Sequence, residues 1–381
     1  MRWFVNWKYD IFFFFVPYWI TWLVIFQFSD LELDGLDFGI NSALIIWILV
    51  EVILDGGHAW LTLYRTFWDK HTVENHGKQF LLGIPVLCFV VLFVLSLWSI
   101  EVTLRFLFYS SLYHGVKQLF GISSLYFAKN LKDLSEDKKP KQDIINKIRK
   151  WDLRVLVTSF YIPFIYWHFN MKENHPLQIG IPRGYFVETF VPLQYQMLPW
   201  PIIGKVLFTI CFSVPLIYWG LLNFYQIKAK QWIKIIWTLT NSATFLMIFV
   251  FKPYDYLIAG GLLIIHAIAY FGIVALCQYR NEKLRSLNEF MSQYLKGLVP
   301  IIAFAFIQVF LIQNFIIHDD EFRIGSYVYD LYSKISTYPI LMASVVGLLF
   351  TVNLSHYVYD AYIWKFNKKN PHLGKILIYN E

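Results

Sequence analysis

The feature that most constrains this chain is a succession of long apolar stretches separated by short polar ones. A helix needs about 20 mostly apolar residues to cross a bilayer. Ten stretches approach or exceed that length, near 11–28, 39–64, 80–98, 99–128, 152–170, 203–223, 233–250, 256–278, 297–317 and 338–363. Each is continuously apolar, whereas strands of a membrane barrel alternate. The expectation is therefore an all-α, polytopic integral membrane helix bundle of about ten transmembrane helices, forming a single domain over residues 1–381. Composition agrees: only 15% of residues are charged, against about 25% in soluble domains, and the mean hydropathy is +0.48. An ordinary soluble enzyme, a disordered chain and a secreted disulfide scaffold are excluded. The three cysteines, Cys88, Cys211 and Cys277, all lie inside apolar stretches and build neither a disulfide framework nor a zinc ribbon. The amino terminus enters the first stretch without a small-residue cleavage site, which reads as a retained helix.

Basic residues set the orientation. With the amino terminus inside, the inner segments hold 23 Lys and Arg and the outer segments 5. Cytoplasmic loops carry such an excess, so both termini are expected in the cytoplasm, and a bacterial inner membrane is the expected location. The net charge of +7 is then a topology signal and not a nucleic-acid footprint. The acidic loop with Asp30, Glu32, Asp34 and Asp37 falls outside, and the basic loop from Lys129 to Lys150 falls inside.

Ionisable groups in hydrocarbon are costly and are usually functional. The stretch 39–64 carries Glu51, Asp55 and His58 at i, i+4 and i+7, so an α-helix presents them on one face. The stretch 338–363 carries Asn353, His356 and Asp360 at i, i+3 and i+7. His114 and Gln118 are i, i+4, as are His266 and Tyr270. Counting from the expected helix starts at 1.5 Å per residue, His58, His114 and His356 fall within about 6 Å of one another in depth. On the same arithmetic His266 lies about 8–14 Å higher. A bound cation is what would hold four imidazoles and two carboxylates together in lipid. Imidazole suits iron, copper and zinc, and a carboxylate either ligates or orients an imidazole. The expected ligands are His58, His114, His266, His356, Asp55 and Asp360, with Glu51, Gln118, Tyr270 and Asn353 behind them. The bland alternative is four unrelated core histidines, each satisfied locally. Iron is the leading metal, with copper or zinc behind it. Haem ranks lower, and the chain has no Cys-x-x-Cys-His for covalent attachment. Glu101 and Arg105 read as a local ion pair, Lys117 as a side chain reaching for the inner surface, and His168, His175, His318 and His372 as ordinary surface histidines.

Two stretches resemble a pattern in uncharacterised bacterial polytopic membrane proteins. One runs Asp55-Gly-Gly-His58-Ala-Trp-Leu-Thr62-Leu-Tyr-Arg65-Thr66-Phe-Trp-Asp69, and the other His356-Tyr-Val-Tyr-Asp360-Ala-Tyr-Ile-Trp364-Lys. His114-Gly-Val-Lys-Gln118-Leu-Phe-Gly121 and Tyr126 resemble the central motif of the same family, which implies no activity. In architecture and histidine pattern, though not in a motif, the chain is loosely similar to the Brp/Blh carotene oxygenases, polytopic proteins with intramembrane histidine ligands to iron. That likeness is an analogy.

The expected function is a metal-dependent membrane oxidoreductase acting on an apolar or lipid-like substrate. No separate electron-donor domain is evident, so such chemistry calls for a partner protein, a quinol or a dioxygenase cycle that needs no external electrons. Nucleic acid is not an expected partner. The alternatives are an ion- or proton-coupled transporter, whose histidines and carboxylates relay protons, and a lipid-modifying transferase with a histidine base. Reporter fusions at Glu381 and at Asp34 are expected to report opposite sides of the membrane; the same side for both would overturn the ten-span count.

Overall fold

The structure is a computed structural model that describes residues 3–28, 48–132, 141–170, 200–229, 231–251, 255–281, 287–312, 334–365 and 370–379. The acidic loop at 29–38, residues 133–140 of the basic loop, and His175 and His318 lie outside the described residues. Among the described residues every regular element is helical. The α-helices are α1 (Trp7–Asp10), α2 (Val16–Phe28), α3 (Gly57–Trp68), α4 (Lys70–His76), α5 (Lys78–Trp98), α6 (Ile100–Lys132), α7 (Gln142–Asn170), α8 (Trp200–Lys228), α9 (Trp232–Leu246), α10 (Asp255–Asn281), α11 (Leu287–Ile312), α12 (Pro339–Ile363) and α13 (Pro371–Gly374). Wider π-helical turns occur at Ile11–Phe15, Ile48–Gly56, Met247–Phe251 and Lys375–Tyr379.

Five of these helical segments are long and apolar enough to cross a membrane: Lys78–Trp98, Phe208–Lys228, Trp232–Phe251, Gly261–Arg280 and Pro339–Ile363. Helix also covers the described part of each of the other apolar stretches. Helix α5 shows why a membrane is the natural medium. Leu81, Ile84, Cys88 and Leu92 are buried, while Leu82, Val86, Leu87, Val90 and Val94 stand exposed around them. A contiguous apolar stripe of this kind in water would be an aggregation surface; in hydrocarbon it carries no penalty. Ser99 adopts an extended backbone that ends α5 and lets α6 begin at once. This is the turn expected at Trp98–Ser99.

The chain divides into two compact units. The first comprises Met1–Leu33, Tyr113–Pro176 and Val191–Ala269; the second comprises Asp34–Leu112, Leu177–Phe190 and Tyr270–Glu381. The dividing points at 112/113 and 269/270 fall inside the continuous helices α6 and α10.

In the first unit α7 packs against α8 and α9, and α2 against α9. Polar side chains tie these helices together. Tyr18 donates to Asn241 at 2.5 Å, Trp22 to Thr244 at 2.6 Å, and Ser159 and Ser242 share a hydrogen bond of 2.9 Å. Interhelical hydrogen bonds of this kind are a recurrent adhesive where lipid removes the hydrophobic drive between helices.

In the second unit α12 lies along α5 and also packs on α3, while α11 packs on α3 and on the π-helical turn before it. Small residues permit the closest approaches. A Cβ added at Gly347 of α12 would meet the Phe89 ring at 3.1 Å and the Phe93 backbone nitrogen at 3.4 Å. The hydroxyl of Tyr359 donates to the Leu81 carbonyl at 2.6 Å, locking the same pair of helices further along.

These contacts set a packing test. Gly347→Leu is expected to lower stability by about 1–3 kcal/mol, the usual cost of overpacking. Gly121→Leu, whose Cβ meets nothing within 4 Å, is expected to change it by about 0.5 kcal/mol or less. Thermal unfolding in detergent compares the two.

Candidate functional site

The second unit brings His58, His356 and Asp360 together. His58 sits in the first turn of α3, and His356 and Asp360 sit one turn apart near the end of α12. The His58 and His356 ring centroids are 4.7 Å apart and nearly perpendicular, at 83°. A ring nitrogen of one lies within 4.8 Å of a ring nitrogen of the other, and the Asp360 carboxylate comes as near to His356. Both imidazoles are buried, at 3% and 0% exposure.

The stretch before His58 differs from the sequence expectation. Ile48–Gly56 is π-helical, with α-helix resuming at Gly57. A π turn holds an extra residue, so i, i+4, i+7 spacing does not by itself place Glu51, Asp55 and His58 on one face there. Asp55 is half-buried, three residues before His58. The side chain of Glu51 lies outside the described residues. The imidazole of His58 places Nδ1 2.7 Å from the Leu54 carbonyl. A carbonyl only accepts, so Nδ1 carries the proton and Nε2 of the neutral ring carries the lone pair.

Around His356 the hydrogen bonds form a chain whose direction follows from donor counting. Asp360 Oδ1 accepts from Tyr270 Oη at 3.0 Å and from Trp364 Nε1 at 3.1 Å. With its proton given to Asp360, Tyr270 can only accept from Thr62 Oγ1, with which it makes a short hydrogen bond. Thr62 Oγ1, having donated, accepts from His356 Nδ1 at 2.6 Å. The other Asp360 oxygen stands 3.6 Å from that same nitrogen. By accepting at Oδ1, Asp360 therefore orders Tyr270, Thr62 and His356 in turn and leaves the His356 lone pair on Nε2. Orientation of an imidazole through its second nitrogen is the usual task of groups behind a ligand. The tautomer rests on this network. The guanidinium of Arg65 stacks over the Trp364 ring at 4.3 Å and reaches Asp69 at 3.8 Å. It thereby backs the indole that serves Asp360.

Apolar packing holds this arrangement. Leu61, Tyr270, Val274 and Ile301 form one buried cluster, with Trp60, Tyr64, Phe271 and Trp364 packed on it, so α3, α10, α11 and the end of α12 all contribute. Asn353 faces another partner: Gln308 donates to it at 2.8 Å and accepts from the Trp60 indole at 2.6 Å. Asn353 therefore anchors α12 to α11 and α3, one turn from His356.

The first unit brings His114 and His266 together. Their ring centroids are 5.0 Å apart at 80°. Depth arithmetic separates them, although α6 and α10 begin within one residue of the expected starts; counting residues along each of two helices does not fix where their side chains meet. Gln118 donates to the main-chain carbonyl of His266 at 2.7 Å, so it anchors the backbone beneath that imidazole and not the ring itself.

Sequence reasoning missed Thr62 and Trp364 as working groups, although both stand in the stretches that carry the family resemblance. The available signal was spacing: Thr62 follows His58 by four residues, and Trp364 follows Asp360 by four. Of the remaining expectations, Glu101 and Arg105 form their ion pair at 3.6 Å, and Lys117 is exposed. Comparison with protein families, with curated proteins and with solved structures found no match for this chain.

The relay makes a double-mutant prediction. Thr62→Val and Tyr270→Phe are each expected to cost about 1–3 kcal/mol, because each leaves buried partners unmade. Since they share one hydrogen bond, the double variant is expected to lose at least about 0.5 kcal/mol less than the sum. Denaturant unfolding in detergent measures the cycle, and strict additivity would break the chain.

Proposed function

We propose that the protein is a membrane-embedded, metal-dependent oxidoreductase, with iron the leading metal and an apolar or lipid-like molecule as substrate. The observation that carries this reading is the His58–His356 pair: two buried imidazoles side by side, each with Nδ1 engaged by a partner that directs the lone pair to Nε2. Imidazole with an adjacent carboxylate is a donor set suited to iron, copper or zinc. His58 and His356 are the ligands in this proposal, and Asp360 orients His356 or joins as a third. Asp55 offers a further carboxyl group three residues before His58. His114 and His266 offer a second imidazole pair in the first unit. Bound there, iron would supply Lewis acidity and a coordination position for a reactant, while the chain fixes the ligands and keeps the surroundings dry. The aromatic packing around Tyr270 suits an apolar substrate. Electrons, where the reaction consumes them, come from a partner protein or a quinol.

The proposal also includes about ten spans, both termini in the cytoplasm and residence in a bacterial inner membrane. These rest on the ten apolar stretches and on the 23-to-5 distribution of Lys and Arg. The loose similarity to the Brp/Blh carotene oxygenases points the same way. A proton-coupled transporter is the second reading, favoured by one observation: the continuous hydrogen-bonded path from His356 through Thr62 and Tyr270 to Asp360 is also what a proton relay requires.

Elemental analysis and an optical spectrum of purified protein separate the two. Near-stoichiometric iron is expected, lost in His356→Ala and retained in His175→Ala. Asp360→Asn is expected to weaken metal affinity about 10–100-fold if the carboxylate only orients the ring. Undiminished metal in His356→Ala would overturn the site, and a metal-free protein that moves protons with its substrate would establish the transporter.

A further inference from the structure

The first unit buries a second charged group of residues, unrelated to any histidine. Lys234, in the first turn of α9, is 1% exposed, and its Nζ lies 2.9 Å from Asp152 Oδ2 on α7. Ser123 of α6 donates to the same oxygen at 2.6 Å. The Lys234 ammonium also stands 4.8 Å from the centre of the Phe127 ring. Phe127 in turn packs with Ile148 and Val155 of α7 and with Leu222 and Ala229 at the end of α8.

Helical spacing places further polar groups on these same faces. Asp152 lies between Ile148 and Val155 at i+4 and i−3, and Gln226 lies between Leu222 and Ala229 in the same relation. Gln231, three residues before Lys234, is joined to Gln226 by a backbone bond of 2.9 Å at the corner between α8 and α9. Both glutamines are 0% exposed. Among the described residues Asp152 Oδ1 and both side-chain polar atoms of Gln226 and of Gln231 have no hydrogen-bond partner. A buried polar atom left without a hydrogen bond destabilises the fold, and here five such atoms stand at one corner. Native chains do not tolerate such a debt at one corner.

We infer that the α8–α9 corner is a binding site for ordered water, which joins Gln226 and Gln231 to the Asp152–Lys234 pair. The chemistry selects water. The pair is already charge-balanced, which disfavours an added ion. The orphaned atoms are three acceptors and two amide nitrogens, and a water molecule donates and accepts at once. A buried water typically makes about three hydrogen bonds to groups of this kind, so about two waters serve the five atoms. Hydration here is what allows an ammonium and a carboxylate to persist deep in an apolar unit.

Solid-state NMR of the intact protein in lipid vesicles tests this without altering it. Magnetisation transfer from water to the side-chain amides of Gln226 and Gln231 and to the Lys234 ammonium is expected; none of it, with the resonances observed, would overturn the site. The Gln226→Leu/Gln231→Leu variant, melted in detergent, gives an independent reading. Its midpoint is expected to fall by several degrees, because the Asp152 oxygen loses its water. A rise would mean that the amides were dry and simply unfavourable. A small organic molecule that stays bound in native mass spectrometry of the wild type and is lost in this variant would replace water as the occupant and overturn the inference.

Discussion

In hydrocarbon a polar group has no solvent to fall back on, and the rest of this structure depends on that constraint. The backbone meets it by forming helix along the described parts of the apolar stretches. Side chains meet it in two ways. Many Ser and Thr hydroxyls bond to the carbonyl one turn earlier in their own helix, as Thr66 does to Thr62 and Thr238 to Lys234. Others reach across to a neighbouring helix and become its attachment point, as Tyr18, Trp22 and Tyr359 do. The helices are therefore joined at a few specific polar contacts and at glycines that permit close approach. Apolar side chains fill the space between these points or face outward.

The same constraint shapes the candidate site. A buried carboxyl group such as Asp360 needs hydrogen-bond donors when it leaves water, and Tyr270 and Trp364 supply two of them. Each donor that serves Asp360 acquires a fixed direction, and through Tyr270 and Thr62 that direction passes to His356. The carboxylate thus orders an imidazole that it touches only loosely, at 3.6 Å. Cooperative polar chains of this kind rigidify their members when all are satisfied. That rigidity is what a metal ligand, or a proton relay, requires.

The charged pair in the first unit follows the same rule with different means. Lys234 and Asp152 neutralise one another, Ser123 adds a donor, and the Phe127 ring faces the ammonium. Following Lys228 and Lys230 at the edge of an apolar stretch, Lys234 reads as an orientation charge at the end of a span. Its burial against Asp152 depends on α7 packing alongside α9, which no local pattern encodes.

Helicity, the apolar lengths and the identity of the unusual polar residues were determined by the sequence alone. They depend on composition and on spacing within single segments, and hydrocarbon leaves a segment little choice but helix. The pairing of His58 with His356 was foreseeable as a class, since both stood with carboxylates at helical intervals. Several features were decided only by the tertiary structure: the π-helical turns before His58, the approach of His114 to His266, the diversion of Asn353 to Gln308, and the entry of Thr62 and Trp364 into the network around Asp360. Each depends on how far a helix tilts and rotates against its neighbours. A rotation of one residue's arc, about 100°, sends a side chain to a different partner while leaving the hydropathy of the segment unchanged.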